Sequence, residues 1–206
     1  MQGLLKGAFW ACLGGLVFVI FPPMPEGFIP KYGGYRKLSA YQMSEIVHDA
    51  TVDFCRRFVD KKSRTTDQMI QAARSGKQNI VEGSHASGLS KETEIKLMNV
   101  ARASLEELLC DYQDYLRNHE LKQWDKNSKE ASFVRKLAAN PDRSYKTYKT
   151  YIESRSDEVA ANIILCVVNQ TNFLLNRLIR ELEKEFLEQG GLRERMTTAR
   201  RKARGY

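Results

Sequence analysis

Between Asp67 and Leu116 the chain carries a helix, a glycine-marked loop, a capped start and a long second helix. That second helix constrains the fold most. Ile95, Met98, Ala101, Leu105, Leu108, Tyr112 and Tyr115 recur at alternating three- and four-residue intervals. This spacing lays an apolar seam along one helix face, suited to neighbours crossing at about 20 degrees. Ser90 opens the helix as its cap, and Glu92 and Glu94 sit favourably against the positive end of the helix dipole.

The flanking segments follow the same logic. Ser39 with Gln42 reads as a capping box. Behind it, Met43, Val47, Ala50, Phe54 and Phe58 form one buried stripe. Lys61-Lys62-Ser63-Arg64 ends that helix, and Thr65 or Thr66 caps the next, which turns Met69, Ala73 and Ile80 inward. Gly83 and Gly88 bracket the loop before Ser90. Residues 119–151 are more polar. They hold a short helix from Ser128 to Ala139, stopped by Asn140-Pro141, and room for a second behind it. The last long helix runs from Ser156 to Gln189 with Val159, Ile163, Cys166, Gln170, Leu174, Leu178 and Leu182 inward, and Gly190-Gly191 ends it. No strand-period segment and no internal repeat stand out.

Four amphipathic helices bury their stripes only against one another. The expected fold is therefore all-α: an up-and-down antiparallel four-helix bundle over residues 28–189. An inserted helical segment lies at about 119–151, and a basic C-terminal extension spans 190–206.

The net charge is +8, and the last fifteen residues supply +5 of it. Arg193, Arg195, Arg200, Arg201, Lys202 and Arg204 face only Glu194 there. Such a tail suits nucleic acid or another acidic surface, or is simply a solvated, disordered end. Lys61, Lys62 and Arg64 form a second basic group, and Arg177 and Arg180 a third. Contacts from these side chains to phosphates would be salt-dependent and mostly independent of sequence. Tyr145, Tyr148 and Tyr151 alternate with Lys146 and Lys149. They read either as a stacking platform for unpaired bases or as a helical face packed on the core.

Residues 1–27 are an apolar leader in which only Lys6 interrupts the run from Leu4 to Phe21. Translated sequence ahead of a true start at Met24, a membrane anchor and a secretory signal are the three readings. A membrane partner is expected only if the leader is genuine. Cys12, Cys55, Cys110 and Cys166 are far apart and show no ligand spacing. Buried reduced thiols in a cytoplasmic protein are the better reading, and zinc has no support.

Two motifs resemble a known family, the four helix bundle proteins typified by the 23S ribosomal RNA intervening-sequence protein. One is Ala72-Ala73-Arg74-Ser75 followed by Asn79-Ile80-Val81-Glu82-Gly83. The other is Ser90-Lys91-Glu92 followed by Asn99 to Leu108. The stretch Glu183 to Phe186, with Gly190-Gly191, Glu194, Met196 and the arginines after it, resembles the subgroup carrying a suffix domain. So does the lead-in Phe28-Ile29-Pro30 with Gly33-Gly34-Tyr35-Arg36, which favours Met24 as the start. The resemblance implies the bundle fold, self-association in a ring-like homo-oligomer and binding to RNA or DNA through basic surfaces.

Enzymatic chemistry finds little footing. Glu45 with His48 and Glu82 with His85 suggest a carboxylate-bridged di-iron centre, with Glu106 or Glu107 and Glu158 as further ligands. Gly83 is expected to break the second pair, and the inward stripes are apolar where ligands belong. Ser75 has no base at a telling spacing. Arg74, Asn79 and Glu82 read as a polar cluster near a helix end, either satisfying loop groups and pairing Arg74 with an acid such as Glu106, or forming a binding site. The expectation is a non-enzymatic nucleic-acid-binding or ribonucleoprotein-assembly protein with no cofactor. The alternative is a protein-interaction scaffold whose basic tail docks an acidic partner.

Overall fold

The computed structural model describes residues 9–13, 16–20, 34–140 and 143–205. The backbone of Phe9–Leu13 (β1) and Leu16–Ile20 (β2) pairs antiparallel, with Phe9 opposite Ile20 and Leu13 opposite Leu16. This corrects the reading that no segment has strand character. The two runs are rich in aromatic and β-branched residues, which favour extended, paired backbone. The rest of the leader lies outside the described residues.

From residue 34 onward the regular structure among the described residues is helical. Gly34, at a φ of 89°, opens a single 3-10 turn, Tyr35–Lys37. Among the described residues seven α-helices follow: α1 Ser39–Phe58, α2 Arg64–Ala86, α3 Lys91–Asn118, α4 Lys129–Leu137, α5 Tyr145–Ile152, α6 Asp157–Gln189 and α7 Leu192–Arg204. The four long helices pack pairwise in a closed cycle, α1 on α2, α2 on α3, α3 on α6 and α6 on α1. The short α4 and α5 lie against α6, and α5 also touches α1.

Residues Met98, Ala101, Leu105, Leu108 and Tyr112 of the seam are fully buried, and Tyr115 nearly so. Phe54 anchors one end, with its ring centroid 5.1 Å from that of Tyr112 and 4.9 Å from that of Tyr115. The buried Tyr112 hydroxyl donates to Thr51 Oγ1 at 3.1 Å, so its polar atom is satisfied. Ser90 caps α3 as expected, accepting from the Thr93 amide at 3.2 Å.

Other expectations are corrected. The α2 cap is Ser63, which accepts from the Thr65 amide, rather than Thr65 or Thr66. Ser39 and Gln42 form no capping box. Both side chains accept instead from the Arg143 guanidinium, at 2.8 and 3.0 Å, which ties the segment after α4 to the start of α1. Gly83 does not end α2, which continues to Ala86. A side chain at Gly83 would meet Met98 at 3.0 Å, and one at Gly76 would meet Leu105 at 2.7 Å. These glycines therefore serve the close approach of α2 to α3. The inward stripe of α6 holds only in part: Ile163 and Leu182 are buried as expected, but so are Ile164, Val168, Leu175 and Ile179, whereas Val159, Cys166, Gln170, Leu174 and Leu178 are half-buried. The helix is flanked by α1, α3, α4 and α5, so its covered face is far broader than one seam. Finally, the basic tail is not a disordered end but the helix α7.

Candidate nucleic-acid interface

Helix α7 begins where α6 stops. Gly190, at a φ of 68°, ends α6, and the Gly191 amide then donates to Glu194 Oε2 at 2.9 Å, capping the new helix. Helix α7 buries none of its side chains. Arg193, Arg200, Arg201, Lys202 and Arg204 are exposed and Arg195 is half-buried. Thr197, Arg200, Arg201 and Arg204 line one groove, because residues three, four and seven apart share a helix face. Guanidinium forks on such a face can grip successive phosphate oxygens in pairs.

The other basic groups divide between the two ends of α6. At its start, the Tyr115 hydroxyl donates to Asp157 at 3.1 Å and approaches the Phe58 carbonyl at 3.5 Å, so the α1–α2 junction lies there. At its far end, Lys91 at the start of α3 pairs with Glu185 at 3.1 Å and Glu94 at 2.9 Å. With 33 residues, α6 separates these ends by about 50 Å. Lys61, Lys62 and Arg64 therefore lie at the end remote from α7. Arg177 and Arg180 are exposed on the second half of α6, and Arg177 shares a groove with Lys37. Lys37, with the exposed Arg36 beside it, belongs to this basic surface although the sequence reading passed over it. Arg177 also pairs with Glu181 at 3.1 Å, an exposed contact of small energetic weight.

The remote junction is mixed in charge. Arg64 lines a groove with Asp67 and Glu107, and the neighbouring recess holds Asp60, Asp111 and Asp114. Burial, with Glu107 and Asp114 nearby, pushes the Asp111 carboxyl above the usual range, and its Oδ2 has no hydrogen-bond partner among the described residues. A carboxyl whose folded-state pKa is raised weakens the fold at any pH where it must be charged. Asp111→Asn is therefore expected to raise the Tm at pH 7, and the gain should vanish below pH 3.8, where both states are protonated. Thermal melts at the two pH values check this.

Asn79 Nδ2 donates to the Ser75 carbonyl at 2.9 Å and to Ser75 Oγ at 3.2 Å, and Ser75 Oγ lies 3.0 Å from Ser104 Oγ. This polar contact bridges α2 and α3. Glu82 is exposed on the Ser75–Asn79 side of α2, one turn beyond Asn79, and Arg74 is exposed on an adjacent face. Glu106, the acid expected to pair with Arg74, accepts instead from Asn172 at 2.9 Å.

Of the tyrosines on α5, Tyr148 is buried, Tyr145 packs against the core, and Tyr151 meets Phe133 edge-on at 5.2 Å. Packing on the core accounts for Tyr145 and Tyr148, whereas Tyr151 stays exposed beside the exposed Phe133. His85 lies on α2 near the Tyr35 ring, and His48 contacts Asp49. Among the described residues no three His, Cys, Asp or Glu side chains come together as a metal-binding group. Cys55 is buried, Cys166 half-buried and Cys110 exposed, so burial fails for Cys110. The Cys12 side chain lies outside the description. The helical stretch Asp157–Arg204 holds an 18-residue window of mean hydropathy 1.3, but 61% of that window is buried in the core.

No family model matches the chain, and no curated protein or solved structure matches it significantly.

Proposed function

We propose that this chain is a non-enzymatic nucleic-acid-binding protein that serves ribonucleoprotein assembly. In this reading α1, α2, α3 and α6 form an up-and-down antiparallel four-helix bundle of the intervening-sequence-protein type. Helices α4 and α5 are the insertion, and α7 is the suffix that grips phosphate. Copies of the chain associate with one another, and the binding helices of several copies then act on one strand with raised effective concentration.

One observation carries the proposal: Thr197, Arg200, Arg201 and Arg204 share a groove on a helix with no buried side chain. A groove lined by three arginines and no acidic residue favours a polyanion. Arg36, Lys37, Arg177 and Arg180 are further exposed cations on the same half of the molecule, with Glu181 beside Arg177. The second reading, an acidic protein partner, draws support from Leu187, 83% exposed just before α7.

The test compares the intact chain with one lacking residues 192–206, in equilibrium binding to RNA and DNA. The truncated chain should keep its helical fold and lose most of its affinity. Equal affinity with and without α7 would remove α7 from the function.

A further inference from the structure

A cleft of about 670 Å³ opens between α6, α4 and the segment joining α3 to α4, well away from the arginines of α7. Its walls are fixed by hydrogen bonds. Asn162, 2% exposed on α6, donates to the Lys122 carbonyl at 2.8 Å and accepts from the Trp124 amide at 2.7 Å. These bonds pin the connecting segment to α6 and set Trp124, half-buried, in the cleft wall. On the opposite side the Arg135 guanidinium donates to the Lys126 carbonyl at 2.6 Å and to Ser132 Oγ at 2.9 Å. Gln170 Nε2 holds the Arg135 carbonyl at 3.1 Å, and its Oε1, buried at the cleft, has no partner among the described residues.

The chemistry of the lining is specific. Phe173 stands at the rim 68% exposed, a large aromatic surface left to water. Gln113 and Gln123 present amides that bond to no described residue, and each offers both a donor and an acceptor. Lys126 and Arg135 supply positive charge, and no acidic residue lines the cleft. Aromatic faces, uncommitted amides and two cations in one recess are what an unpaired nucleobase with its phosphate requires.

We propose that this cleft binds an unpaired nucleotide, its base stacked against Phe173 and Trp124 and its phosphate toward Lys126 and Arg135. As part of a strand, this deepens the nucleic-acid reading above and rests on it. The cleft would then give single strands an advantage over duplexes, whose bases are already stacked and paired.

The experiment measures binding of the intact chain and of Phe173→Ala to an oligoadenylate single strand, to an RNA duplex of equal length and to AMP alone. Trp10→Phe is introduced throughout, so that fluorescence reports Trp124. Phe173 is largely exposed, so its removal should leave the fold intact, as circular dichroism will verify. The expected result is quenching of Trp124 by the single strand and by AMP. Phe173→Ala should weaken single-strand binding roughly 5- to 150-fold and leave duplex binding unchanged. Unchanged single-strand affinity in Phe173→Ala, with no quenching by AMP, would overturn the cleft proposal while leaving the role of α7 standing. Quenching by AMP that Phe173→Ala relieves, without binding to either polymer, would support the cleft as a free-nucleotide site and overturn the nucleic-acid reading instead.

Discussion

Changing Arg200, Arg201 and Arg204 together to glutamate is expected to abolish binding to RNA and DNA at moderate salt. Each guanidinium that neutralises a phosphate releases counterions, contributing about 0.9 to the slope of log affinity against log salt for duplex and about 0.7 for single strands. Three alanines in place of the arginines should therefore lower that slope by roughly 2 to 3. Glutamates add repulsion, and they carry the loss further. None of the three side chains is buried, so the folded core should be unaffected and its Tm unchanged. A variant that binds as tightly as the original, with the same salt slope, would show that the α7 groove does not meet phosphate.

The largest expected effect on stability belongs to Phe54→Ala. Phe54 has no exposed surface, and its ring lies within 5.2 Å, centroid to centroid, of Phe58, Tyr112 and Tyr115. Removing it leaves a cavity where α1 meets α3, and the surrounding rings are too constrained to collapse into it. The expected loss is about 3 to 5 kcal/mol, combining lost transfer energy with the cavity itself. Urea unfolding should show a lower midpoint with a similar slope. A loss below about 1 kcal/mol would mean that the aromatic cluster is not a keystone of the core.

How far the fold is legible in the sequence depends on the neighbours of each helix. Helix α3 has one apolar face, so the intervals from Met98 to Tyr115 identify its buried residues directly. Helix α6 has four neighbours, and apolar side chains cover so much of its surface that several stripes fit the sequence equally well. Gly76 and Gly83 illustrate a second limit. A glycine within a helical pattern looks like a breaker until the opposing Leu105 and Met98 are seen filling the space of its missing side chain. The same holds for Ser39 and Gln42, whose local spacing suggests a cap. Their actual donor, Arg143, is 104 and 101 residues away in sequence.

The candidate interface was legible as composition but not as arrangement. The arginines of α7 are countable in the sequence, yet their shared groove depends on the tail being helical. Such a charged segment carries no strong apolar period to announce a helix. Lys61, Lys62 and Arg64 look equally basic in sequence, but α3 brings Glu107 beside Arg64 and sets Asp111 and Asp114 in the adjoining recess. The aromatic and amide cleft draws on α3, the following segment, α4 and α6, so no local motif marks it. Asn162 organises it from the middle of an apolar helix, where a buried polar residue was the available clue.

The central claim is that α7 is a phosphate-binding element, and the most direct measurement is the salt dependence of RNA binding by the intact chain. Affinity should be measurable at low salt and fall steeply and linearly with log salt, with the slope carried by residues 192–206. No binding at low salt, or affinity indifferent to salt, would contradict it.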